Sequence, residues 1–152
     1  MKNTYPIIIF SIMLTYSQIM SAQDIQKPSS TDTALSQKVS GIWLLDDDLL
    51  NGVAHVTGTI NLATNGDYTI EATMKVTEGE AKGMESANTS MGKWQVKDGC
   101  LVMTKLKTHT ANGGDQQLSK PEVSTVKIVR VNDNELVYIS DASIEKTWKR
   151  SK

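Results

Sequence analysis

Apolar and polar residues alternate with a period of two through much of the chain after Val39, the pattern of strands with one buried and one wet face. The clearest run is Asp67–Val76, in which Tyr68, Ile70, Ala72, Met74 and Val76 alternate with Thr69, Glu71, Thr73 and Lys75. Before it, Val56, Gly58, Ile60 and Leu62 alternate with Thr57, Thr59 and Asn61, and Asn65-Gly66 lies between the two runs. Asn-Gly accepts the positive φ angles of a two-residue turn, so the pair predicts a hairpin. A second hairpin sets Gly92, Trp94 and Val96 against Lys93, Gln95 and Lys97, turns at Asp98-Gly99 and returns over residues 100–108. On that return Leu101 and Met103 fit one face while Val102 and Leu106 fit the other, which a bulge reconciles. A third hairpin joins residues 124–131 to 136–140 through Asn132-Asp133-Asn134. Residues 41–45 form a first strand and residues 144–150 a last one. No long stretch shows helical spacing. Residues 44–54 are expected to hold a helical turn or an irregular loop ended by Gly52, and residues 79–90 and 111–121 to form the long loops.

About eight hairpin-linked strands make an all-β meander. It folds either into a small antiparallel barrel or into an open β-sandwich, and the barrel leaves no unpaired edge. This domain covers residues 39–152. Residues 23–38 are polar, include Pro28-Ser29-Ser30-Thr31-Asp32-Thr33, and read as a flexible lead-in. The first 22 residues read as a secretory signal peptide: Lys2, an apolar run over residues 7–14, then small and polar residues ending in Met20-Ser21-Ala22. The apolar run falls short of the roughly 20 residues a membrane span needs. Export to the periplasm or the medium, with cleavage near Ala22, is therefore expected, and no stable membrane span.

Composition narrows the chemistry. A chain of 152 residues suggests one domain, and 39% hydrophobic residues suffice for a core. Sixteen basic against 17 acidic residues argue against a nucleic-acid partner. The single cysteine, Cys100, excludes an internal disulfide and a multi-cysteine zinc site, and reads as a small buried residue. His55 and His109 read as surface residues, and Asp46-Asp47-Asp48 as a solvated acidic loop, because three consecutive residues do not offer calcium its alternating oxygens. No metal or cofactor is expected. Lys93, Lys97, Lys105, Lys107, Lys127 and Arg130 read as an outward cluster that keeps strands soluble and unpaired. Without a nucleophile elbow or an assignable carboxylate pair, the chain is not expected to be an enzyme.

Gly41-Ile42-Trp43 opens the first strand and Trp148-Lys149-Arg150 ends the last; Asn65-Gly66-Asp67-Tyr68-Thr69 and Gly92-Lys93-Trp94 lie between. Over residues 39–150 this resembles the short bacterial lipocalin-like domains of the calycin group. The resemblance implies that Trp43 plugs one barrel end beneath Arg150, or Lys149 in its place, with Gly41 and Trp148 in the same closure. An arginine over an indole gains about 0.5–1 kcal/mol when exposed. It also implies an exported, non-enzymatic, monomeric protein binding a small hydrophobic or amphipathic molecule. Tyr68, Ile70, Met74, Trp94, Val96, Met103, Ile128 and Tyr138 face inward. They either line a pocket or fill the barrel, since eight strands enclose a space that side chains alone can occupy. The alternative reading is a rigid scaffold whose two long loops bind or inhibit an envelope protein.

Overall fold

The computed structural model describes residues 29–49, 52–111, 113–140 and 143–152; the signal-peptide reading of residues 1–22 lies outside them. Strands β1 (Gly41–Leu49), β2 (Ala54–Leu62), β3 (Asp67–Val76), β4 (Glu85–Lys97), β5 (Cys100–Thr110), β6 (Gly114–Val131), β7 (Glu135–Ile139) and β8 (Glu145–Arg150) pair in sequence order. β8 returns to β1 through Trp43↔Arg150 and Leu44↔Lys149, which closes an antiparallel barrel and overturns the sandwich alternative. Local chemistry sets the turns. Gly66 takes a φ of 83°, and the Asn65 carbonyl oxygen accepts the Asp67 N–H at 3.0 Å. Asp98 and Gly99 both adopt positive φ between β4 and β5. The expected irregularity in β5 is present as a register shift between Lys105 and Lys107 against β6.

Several boundaries differ from the sequence reading. The helical turn or loop expected within residues 44–54 is largely strand, since Asp46–Leu49 of β1 pair with residues 54–57 of β2. The loops expected at residues 79–90 and 111–121 shrink, because β4 begins at Glu85 and β6 at Gly114. Backbone pairing extends both ladders past the apolar alternation, since a ladder hydrogen bond does not require an apolar side chain. The lead-in is also not flexible over its second half. Residues Ser30–Val39 form a helix, α1, capped by the Ser29 hydroxyl, which accepts the Asp32 N–H at 3.0 Å. The acid in its first turn and Lys38 in its last suit the helix dipole. Leu35 and Val39 pack against the barrel core. The Asp32 carboxylate accepts the backbone N–H groups of Gly99 at 3.1 Å and Asp98 at 3.2 Å. It thereby ties α1 to the β4–β5 turn across one end of the barrel.

Inward residues stack in rows read directly from the register. The rows Trp43–Ile60–Ile70–Ser90–Thr108, Leu45–Gly58–Ala72–Asn88–Thr110 and Asp47–Val56–Met74–Ser86 climb from the α1 end toward the opposite mouth. Each row is mostly apolar on β1 to β3 and polar on β4 and β5. The core is therefore densest at the α1 end. There Trp43, Ile60, Leu62, Leu101 and Leu136 are fully buried, in one cluster with Tyr68, Trp94, Val96, Met103, Ile128, Tyr138 and Trp148. A smaller cluster of Ala54, Val56 and Met74 lies nearer the mouth.

Candidate functional site

At the α1 end the closure expected from Trp43 and Arg150 is built in full. The Trp43 indole has no exposed surface and donates its N–H to the Val39 carbonyl at 2.8 Å. The Arg150 guanidinium carbon lies 4.1 Å from the indole centroid. Its two terminal nitrogens donate to the Ser40 carbonyl at 2.9 Å and the Lys38 carbonyl at 2.6 Å. The guanidinium thus satisfies carbonyls at the end of α1 while covering the ring. Gly41 makes room for it: at φ 131° a Cβ on residue 41 would overlap the Arg150 guanidinium. Lys149 is exposed and does not substitute. The second G-x-W copy is used differently. Trp94 is buried and donates to the Ala63 carbonyl at 2.9 Å, and among the described residues no arginine covers it.

Of the eight residues expected to line a pocket or fill the barrel, Tyr68, Trp94, Val96, Met103, Ile128 and Tyr138 join one buried cluster, with Ile70 packed against it. Met74 belongs to the second cluster. Burial, reinforced by the charge of Glu122, pushes the Tyr68 hydroxyl above its ordinary pKa. Lys105, expected to face outward, instead points inward at only 15% side-chain exposure and pairs with Glu122. The register explains this: Lys105 lies opposite inward Gly92 just before the β5 bulge.

A cleft opens where β1 and β8 separate. Above Leu44↔Lys149 the two strands have no further ladder pairs, although β1 continues to Leu49 and β8 starts at Glu145. The Lys146 ammonium spans this seam to the Asp47 carboxylate. The cleft holds about 210 Å³ and is lined by Asp46, Asp47, Tyr138 and residues 144–148. Its aromatic wall is Tyr138 against Trp148, with ring centroids 4.7 Å apart and planes tilted by 54°. Both residues are over nine-tenths buried. Burial, with Asp47 adding to it, pushes the Tyr138 hydroxyl up to about 12, so it stays protonated. The Trp148 indole N–H is buried; it meets the Tyr138 hydroxyl oxygen without reaching ordinary hydrogen-bond geometry. Ile144 stands exposed at the rim. Tyr138 alone of the expected pocket set, and Trp148 of the expected closure set, meet here.

The acidic triplet is strand rather than loop. Asp47 turns inward to the seam, while Asp46 and Asp48 face out and hold the two His55 ring nitrogens at 3.0 Å and 2.7 Å. The Asp48 hydrogen bond first, then both carboxylate charges, raise the His55 pKa. His109 pairs with Asp115 in the same exposed manner. Among the described residues no group of three His, Cys, Asp or Glu is placed to hold a metal ion. Of the basic cluster, Lys93 pairs with Asp67 and Arg130 with Glu135. Cys100 is half-buried and free. No helix among the described residues is long and apolar enough to cross a membrane.

No family model matches the chain, and no curated protein does. Among solved structures the chain is similar to a lipocalin-like protein from Bacteroides thetaiotaomicron, at 18% identity and a TM-score of 0.43, over 75% of this chain and 97% of that one.

Proposed function

We propose that this is an exported, non-enzymatic binding protein of lipocalin-like type, which takes a small molecule at the seam cleft rather than deep in a calyx. One observation carries the reading: the cleft is walled by the Tyr138–Trp148 aromatic pair, while the α1 end of the barrel is filled by its own side chains. The volume limits the occupant to something smaller than a drug-sized molecule. The Trp43–Arg150 closure keeps the other end shut and supplies a stiff frame.

The three indole N–H groups of Trp43, Trp94 and Trp148 report on three different places. Native mass spectrometry of the exported protein, followed by NMR titration of the bound molecule, tests the reading. A cleft ligand shifts the Trp148 indole resonance and leaves those of Trp43 and Trp94 in place. A shift centred on Trp94 would mean a calyx ligand instead. No adduct and no shift with a panel of fatty acids, lipids and small aromatics would reject small-molecule binding and favour the protein-binding scaffold. Intact mass of the exported product tests cleavage near Ala22.

A further inference from the structure

β6 is paired along most of one side and little of the other. Toward β5 its partners run from Gly114 to Lys127, with a shift between residues 117 and 122. Toward β7 only Lys127, Ile128, Arg130 and Val131 have partners, because β7 has 5 residues against 18 in β6. Residues 114–126 are therefore a sheet edge, with no strand beside them among the described residues. The Ile128 N–H bonds the Gly99 carbonyl on the β5 side at 3.1 Å. Backbone groups of an antiparallel strand alternate between its two neighbours, so those of Val126, Ser124 and Glu122 also turn to β5. The N–H and C=O of Thr125 and Val123 turn to the open side. Such an unpaired row is a template for another strand.

The upper part of this edge is guarded by Lys120, Pro121 and the bulge they lie in, devices that discourage pairing. Glu122–Val126 lies below them. Its inward charge, Glu122, is already matched by Lys105, and its outward Val123 is 51% exposed. A second copy does not fit there. Antiparallel pairing centred on Ser124 would lay residues 117–121 of that copy against residues 127–131, which β7 occupies. Sliding the centre to Lys120 avoids β7 but opposes two lysines and brings Pro121 into the ladder. The face beside the free stretch is basic. Lys97, Cys100 and Lys127 form one outward row, and neither lysine pairs with an acid among the described residues.

We propose that the β6 edge over Glu122–Val126 docks an extended acidic segment of another protein as an added antiparallel strand. Its backbone exchanges hydrogen bonds with Val123 and Thr125, continuing the line of β7 beyond Ile139. An apolar side chain lies beside Val123, and a carboxylate beside Thr125 reaches diagonally to Lys127. This surface is separate from the seam cleft, so the inference does not rest on small-molecule binding there.

A random peptide library displayed on phage and selected against the full chain tests it. The selected peptides are expected to alternate β-branched and acidic residues, and to shift and protect from exchange the Val123 and Thr125 amides. Thr125→Pro removes an N–H that faces the open edge and leaves the β5 ladder alone, so it should weaken these peptides about tenfold or more while circular dichroism stays unchanged. Methylating alternate peptide nitrogens should abolish binding in one phase and spare it in the other, a readout that needs no protein variant. Lys127→Gln should weaken binding about two- to fivefold, and raised salt should do the same. Selection of no peptide, binding that survives methylation in both phases, or shifts confined to the Trp148 resonance overturns the proposal. Protection of Val123 and Thr125 without peptide, growing with protein concentration alongside a dimer in sedimentation, overturns it in favour of a second copy.

Discussion

Trp43→Ala is expected to cost the fold about 4 kcal/mol. The indole is wholly inaccessible. A buried tryptophan removes about 150–250 Å² from water, which at about 25 cal/mol per Å² is worth about 4–6 kcal/mol. A compact unfolded ensemble lowers that by roughly 10–40%, leaving about 2.5–5.5 kcal/mol. The lost hydrogen bond to the Val39 carbonyl adds about 1 kcal/mol. The Arg150 guanidinium loses the ring it covers, for about 0.5–1 kcal/mol more. Partial collapse around the smaller side chain and the retained methyl group offset some of this. The result lies within the range of about 3–5 kcal/mol measured for Trp→Ala in cores. Urea denaturation followed by circular dichroism reads it: with a slope of about 1–3 kcal/mol per molar, the midpoint should fall by about 1.5–4 M. A midpoint shift below about 0.5 M at unchanged slope would refute the plug. Should the alanine variant not fold, Trp43→Phe keeps one aromatic ring, loses the pyrrole ring with its N–H, and is expected to lose about half as much.

Other outcomes follow from the same contacts. Gly41→Ala should destabilise by about 1–3 kcal/mol, from a strained backbone at φ 131° and the overlap with Arg150. Adding Arg150→Ala should then cost less than it does alone, a non-additivity measured by a double-mutant cycle. The raised His55 pKa stabilises the fold fully below its unfolded value of about 6.5, and that contribution is lost as pH rises through the folded pKa. Denaturation midpoints measured from pH 6 to 9 should therefore drop, and His55→Gln should flatten that step. Asp32 behaves in the opposite sense. The Gly99 N–H holds its carboxylate below the ordinary range, so its contribution is present above about pH 4 and vanishes as pH falls through the lowered value. Asp32→Asn should reduce the acid sensitivity, and hydrogen exchange should show α1 opening sooner.

Where a strand's inner face meets packed core, the sequence displays it. Tyr68, Ile70 and Met74 alternate because each is paired with an apolar neighbour across β2, and Asn65-Gly66 names the turn before them. The closure by Gly41, Trp43 and Arg150 is legible only through the resemblance to lipocalin-like domains, since the three residues are far apart in sequence and meet only when β8 returns to β1. The helix α1 was missed for a related reason. It touches the barrel through Leu35, Val39 and Asp32, too few positions to impose a helical period. Its local signal was present in Ser29-Ser30-Thr31-Asp32, a capping pattern of a hydroxyl followed three residues later by an acid.

The missed strand segments and the cleft have one common cause. Residues 85–90 carry Ser86, Asn88 and Ser90 inward, at the level where the barrel stops being packed with large side chains. The inward face there is as polar as the outward one, so the period of two disappears although the ladder continues. The acidic triplet is likewise polar at every position, yet alternation sorts its members, sending Asp47 to the seam and its neighbours to His55. The cleft has no local pattern, because strand lengths create it. β7 and β8 have 5 and 6 residues between β6 with 18 and β1 with 9. Such short strands wall only the α1 end, so Tyr138 and Trp148, buried below, meet an open seam above. A barrel that shortens two adjacent strands makes a side entrance without giving up its core. The residues at that entrance, Asp47, Tyr138, Glu145, Lys146 and Trp148, belong to three strands and converge only once the barrel has closed.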